Sequence, residues 1–129
     1  MKKKIIIISA FLVIIFFIIY NLTEGPNNIK ATYIKDNKEY KDIKLSDVQN
    51  IRINTYTEGG FNSKIVSDND ELKKLYNDIF NIKYGEETDM ACEDNSTTYV
   101  IYLKDGSSKS INIECDWIII NKKRYMIVK

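Results

Sequence analysis

Five carboxylates crowd one short stretch of this chain: Glu86, Glu87, Asp89, Glu93 and Asp94, within the segment from Gly85 to Asn95, its longest candidate loop. Clustered carboxylates are the ligands a calcium ion takes. Their spacing matches no calcium loop, and Asp68-Asn69-Asp70 lacks the glycine that the EF-hand turn requires. Like charges gathered in a loop more often stand in water or meet a partner. The five are therefore read as a partner-contact loop, and no metal or other cofactor is assigned to them.

Cys92 and Cys115 are the only cysteines. In an exported compartment they can form a disulfide, and closing that loop would stabilise the fold by on the order of 3 kcal/mol. The competing reading makes Cys115, at an apolar alternating position, a buried thiol and leaves Cys92 free; the bridge is slightly favoured. Neither cysteine belongs to a Cys-x-x-Cys pair or has a histidine to activate it. The chain contains no histidine at all. That removes imidazole acid–base catalysis near neutral pH, Ser-His and Cys-His nucleophilic pairs and the common zinc sites. Carboxylate or Ser-Lys chemistry is what remains for an enzyme, and no catalytic residue is assigned.

Two further patterns have a plain alternative. Asn21-Leu22-Thr23 and Asn95-Ser96-Thr97 match the N-glycosylation triplet, a match that an asparagine-rich chain produces by chance. The tyrosines and Trp117 could make a binding face, although aromatics spaced along strands more often pack within the sheet.

The elements that would position these groups start with a membrane anchor. Ile5 to Leu22 is almost wholly apolar and follows Lys2, Lys3 and Lys4; it reaches the short end of the roughly 20 residues that a spanning helix needs. A cleavable signal peptide would have a shorter apolar region, about 7 to 15 residues, and an Ala-x-Ala site. A lipoprotein signal would need a cysteine at the end of the run. The three lysines set the N-terminus on the cytoplasmic side. Residues 1–22 are thus expected to be a transmembrane signal anchor, 23–28 (with Glu24-Gly25-Pro26-Asn27-Asn28) a linker, and 29–129 an exported domain large enough for a single core.

Of the 129 residues, 19 are basic and 18 acidic; without Lys2 to Lys4, 16 basic residues face 18 acidic ones. No basic surplus is left to bind nucleic acid. Isoleucine, lysine and asparagine abound, and Arg52 and Arg124 are the only arginines, as in AT-rich coding sequences.

Within the domain, Ile29 to Ile34 and Tyr40 to Leu45 are expected as a lysine-rich edge hairpin around Asp36-Asn37-Lys38. Ser46-Asp47-Val48-Gln49 has capping-box spacing and predicts one helical turn. Ile51, Ile53 and Thr55 alternate along a strand that turns at Gly59-Gly60 into Ser63 to Val66. Ser67-Asp68-Asn69-Asp70 offers helix N-caps, and Leu72, Leu75, Tyr76, Ile79 and Phe80 then mark one apolar stripe of an amphipathic helix. Tyr99, Ile101 and Leu103 alternate toward Asp105-Gly106, and Ile111, Ile113, Cys115 and Trp117 alternate away from it, with odd positions pairing odd. A last hairpin is expected from Trp117 to Ile120 and Tyr125 to Val128, turning at Asn121-Lys122-Lys123. The fold class is α+β: an N-terminal transmembrane helix, then a small domain with an antiparallel β-sheet packed against one amphipathic helix.

This layout, from the lysine start and single span to Tyr99-Val100-Ile101-Tyr102-Leu103, Asp105-Gly106 and the closing hairpin through Tyr125, resembles small membrane-anchored exported domains of low-GC Gram-positive bacteria. More distantly, the helix followed by antiparallel strands resembles PepSY-like protease-inhibitor domains. Asp116-Trp117-Ile118 stands where the PepSY pattern has Asp-x-x-Thr-Gly, so the resemblance carries over no functional residue. The expectation is a non-enzymatic accessory domain at the outer face of the cell membrane, held through Ile5 to Leu22 and binding a membrane or cell-surface protein or a peptide. The alternatives are a carboxylate-based envelope-modifying enzyme that uses Glu93 or Asp94, and a calcium-responsive domain.

Overall fold

The computed structural model describes residues 12–15 and 31–129, residue 93 excepted. The chain divides into two units, Met1–Lys30 and Ala31–Lys129. In the first, residues 12–15 are helical, and Leu12, Val13, Ile14 and Ile15 are all exposed. The rest of the expected span from Ile5 to Leu22, and the linker 23–28, lie outside the described residues. Among the described residues no helix is long and apolar enough to cross a membrane.

The second unit is built on one eight-stranded antiparallel sheet. Its strands are β1 (Thr32–Tyr33), β2 (Val48–Thr57), β3 (Gly60–Val66), β4 (Lys83–Thr88), β5 (Ser96–Leu103), β6 (Ser108–Glu114), β7 (Trp117–Ile120) and β8 (Lys123–Val128), in the spatial order β1-β4-β8-β7-β6-β5-β2-β3. Strands β5 to β8 form a meander, and β2 pairs on its far side with β5 rather than with a strand preceding it. One helix, α1 (Asn69–Phe80), connects β3 to β4.

Strand register puts the isoleucines on one face. Ile51 pairs with Ile101, Ile53 with Tyr99, Tyr99 with Ile111, and Ile113 with Ile118. Side chains paired across antiparallel strands share a face, and on this face Ile51, Ile101, Ile111 and Ile118 are fully buried. Helix α1 supplies Leu72, Ile79 and Phe80 to the same core, with Leu75 and Tyr76 packed against it. Asp68 caps the helix, its carboxylate accepting from the Glu71 N–H at 3.2 Å, and Asp70 and Glu71 put negative charge where the helix dipole favours it.

The lysine-rich edge hairpin is not formed. Ile29 and Lys30 lie outside the described residues; of the rest of that stretch only Thr32 and Tyr33 are in strand, pairing with β4, and Ile34–Asp36 and Leu45–Asp47 are 3-10 turns. The Asn37 side chain accepts from the Glu39 N–H at 2.9 Å, and the Asn37 carbonyl accepts from Tyr40 and Lys41, so the chain coils instead of extending. The coil drops Ile34, Tyr40 and Ile43 into the core. Tyr40 donates its hydroxyl to the Ser110 carbonyl at 3.0 Å, and Tyr76 of α1 donates to the Ile43 carbonyl at 2.7 Å.

Three local expectations are also corrected. The helical turn before β2 begins two residues earlier than the capping box implied, with Lys44 rather than Ser46 at the N-cap and Asp47 accepting from the Lys44 N–H at 3.4 Å. The segment from Gly85 is strand as far as Thr88, because β8 supplies backbone partners to Glu87 and Thr88, and the loop shrinks to residues 89–95. Trp117 does not continue the row of Ile111 and Ile113: Cys115 and Asp116 form a two-residue turn, Cys115 at φ +50°, after which Trp117 pairs with Glu114 on the opposite face. The final hairpin turns at Asn121 and Lys122, both at positive φ (53° and 66°), as a type I′ turn demands.

Candidate binding surface

The sheet's second face carries no buried side chain. Register sorts its residues into rows running across the strands. One row is Phe61, Tyr56, Ser96, Glu114, Trp117 and Met126. Six strands at about 4.8 Å spacing make it roughly 24 Å long. Tyr56 and Phe61 are 56 % and 57 % exposed, with ring centroids 4.8 Å apart, and Met126 is 45 % exposed at the other end. Soluble surfaces seldom gather large apolar side chains in one band without a use for it.

The next row is polar: Ser63, Asn54, Thr98 and Asn112, then Ile119 and Arg124. Its members hold one another. The Ser63 hydroxyl donates to Asn54 Oδ1 at 2.7 Å, and the Thr98 hydroxyl to Asn112 Oδ1 at 3.2 Å. Arg124 Nε donates to Glu114 Oε2 at 3.4 Å, a part-buried pair bridging the two rows. Beyond them Arg52 stands 5.7 Å from the Tyr102 ring centroid, a cation–π arrangement.

The loop 89–95 is fixed beside the aromatic row. Trp117 donates its indole N–H to the Met90 carbonyl at 2.7 Å, and the Cys115 N–H donates to the Asn95 carbonyl at 3.0 Å. Cys92 is joined to Cys115, the Cα atoms 6.0 Å apart, within the separation that a disulfide spans. The bond links the loop to the turn between β6 and β7, and Cys115 there is exposed rather than buried in an apolar row.

The acidic residues are not gathered into one site. Glu86 and Glu87 lie exposed on β4, where Glu87 pairs with Tyr125, and Asp89 and Asp94 are exposed in the loop; Glu93 lies outside the described residues. Among the described residues no group of three or more potential metal ligands converges. A hollow of about 920 Å³ lies elsewhere, at the β5–β6 turn, rimmed by Lys38, Glu39, Asp42, Asp47, Lys104 and Lys109. Nearby, the Ser107 hydroxyl and N–H both donate to Asp105 and hold its carboxyl below the ordinary value. The perturbed phenols belong to the core side: burial pushes Tyr40, Tyr76 and Tyr99 up, and Glu39, Asp47 and Asp78 respectively add to it.

Comparison with known proteins gives no match to a protein-family model, to a curated protein or to a solved structure.

Proposed function

We propose that the chain is a membrane-anchored extracytoplasmic accessory domain, non-enzymatic, which binds a protein or peptide at the membrane or cell surface. Ile5 to Leu22 would be the anchor, with the N-terminus cytoplasmic. The exposure of four successive apolar residues in the helical turn 12–15 supports this, since 100° per residue distributes them around the whole helix. The observation that carries the binding reading is the one-sidedness of the sheet. Every buried strand residue lies on the helix side, while the other face exposes Tyr56, Phe61, Ile65 and Met126. Tyrosine, tryptophan and arginine are the side chains in which binding hot spots are enriched, and this face carries all three.

The test is site-directed photo-crosslinking in cells that carry the tagged full-length chain, with the crosslinker at Tyr56 on the open face or at Lys74 on the exposed side of α1. A dominant adduct from Tyr56, missing from Lys74 and from an anchor-only chain, is the expected outcome. Equal, diffuse labelling from both positions would overturn the reading.

A further inference from the structure

The sheet has two edges, and they are closed to very different degrees. At one, β4 is partly covered by the two-residue β1, its pairing with β8 is irregular between Tyr84 and Glu87, and Glu86 and Glu87 charge it. Short partners, bulges and charge are the devices by which proteins keep an edge from pairing. The other edge, β3, has few of them. Gly60 to Val66 runs in unbroken register with β2, without proline, and with Lys64 as its one charge. Phe61 and Ile65 on it are 57 % and 54 % exposed.

The geometry points to a second copy of this chain as the occupant of that edge, in an antiparallel β3–β3 pairing whose two-fold axis passes through Ser63. For both copies to show the same face, the axis must fall on a residue, and the sequence then decides which. Centred on Ser63, all seven residues from Gly60 to Val66 find a partner. Phe61 lies opposite Ile65 of the second copy, joining two exposed apolar side chains, and this match occurs twice. Lys64 lies opposite Asn62, so like charges do not meet. An axis on Lys64 would set two lysines against each other, and one on Asn62 would put Phe61 against Ser63 and leave Ile65 beyond the strand. The result is one sixteen-stranded sheet with a continuous open face. A single strand pair buries little area, so pairing in dilute solution is weak. Two copies held in one membrane, as proposed above, would meet at much higher effective concentration; the register does not depend on that reading.

Cysteine scanning of the purified full-length chain tests it. In the two-fold pair, Ser63→Cys places its thiol and that of the second copy on Cβ atoms about 4.5–5.5 Å apart, near disulfide reach. Under mild oxidation Ser63→Cys should form a covalent homodimer about tenfold or more faster than Asn54→Cys, one strand further in, because only the former thiols are held together. Asn62→Cys mixed with Lys64→Cys should give the heterodimer in preference to either homodimer. Adding Ile65→Lys to Ser63→Cys should abolish the adduct while the melting temperature stays within a few degrees. Equal rates for Ser63→Cys and Asn54→Cys, or Lys64→Cys homodimers as the fastest product, would overturn the pairing. So would Ser63→Cys adducts formed in cells chiefly with a different protein, which would give the edge to a foreign strand.

Discussion

Neighbouring residues of β5 serve two faces with opposite demands. Ile101 is fully buried between Ile51 and the core, while Val100, one position back, lies half-exposed between Arg52 and Ser110. The helix side is a packed layer of isoleucines, and no polar side chain of the described residues is buried anywhere. The open side is a lattice of polar and aromatic groups held by side-chain hydrogen bonds, one ion pair and a cation–π contact. Stability therefore resides on one face, which leaves the other free to change with little cost to folding.

The contrast is broken most directly by truncating the two neighbours. Ile101→Ala should cost about 2–5 kcal/mol, transfer plus cavity, whereas Val100→Ala should cost less than about 1 kcal/mol; denaturant midpoints measure both. If the two losses matched, the open face would be a second core. Next in size is the tie between the acidic loop and the sheet. Cys115→Ser opens a loop of sequence separation 23 and should cost about 3 kcal/mol, and a reductant should lower the wild-type melting temperature to that of the variant while leaving the variant's unchanged. Trp117→Phe keeps an aromatic ring, though a smaller one, and loses the indole donor to Met90, a hydrogen bond worth about 1 kcal/mol. Its signature is faster amide exchange confined to residues 89–95.

The smallest effects come from titration, and they separate core from surface. Tyr40, Tyr76 and Tyr99 have raised folded pKa values, so their contribution is complete below the ordinary value of 10.0 and is lost as pH rises through the folded values. Alkaline melting should begin near that pH, and Tyr40→Phe should make its pH dependence shallower. Asp105 has the opposite sign. Its lowered pKa contributes above the ordinary 3.8 and loses that contribution as pH falls through the folded value, so Asp105→Asn should flatten the acid side alone.

The helix and the strands of the β5–β6 hairpin were legible because each repeats apolar residues at a period that only one backbone satisfies. Leu72, Ile79 and Phe80 announce a helix and Ile101 and Ile111 a strand before any partner is known. Strand β4 was not legible, since Lys83-Tyr84-Gly85-Glu86-Glu87-Thr88 has only Tyr84 to bury, and it becomes a strand through backbone pairing with β8 and β1. Residues 34–47 failed differently: their alternation looks extended, but the turn at Asn37 is satisfied by its own side chain and the core is reached by coiling. For the open face, the residues were visible and the assembly was not. Tyr56 and Trp117 are far apart in sequence and meet in one row only through three strand registers and a turn at Cys115 that no glycine or asparagine signals.

The hairpin of β2 and β3 extends past the core, and every residue from Tyr56 to Ile65 is exposed. Its strand β2 is also the one that carries the fully buried Ile51, about five residues or roughly 17 Å from Tyr56 at the rise of an extended chain. Whatever grips the tip thus pulls on a rod whose other end is set in the hydrophobic layer. A tug along β2 loads its bonds to β5 together, in shear, while a sideways tug on β3 peels one bond at a time. The domain is mechanically anisotropic: stiff when pulled along the hairpin, compliant when the outer strand is drawn away.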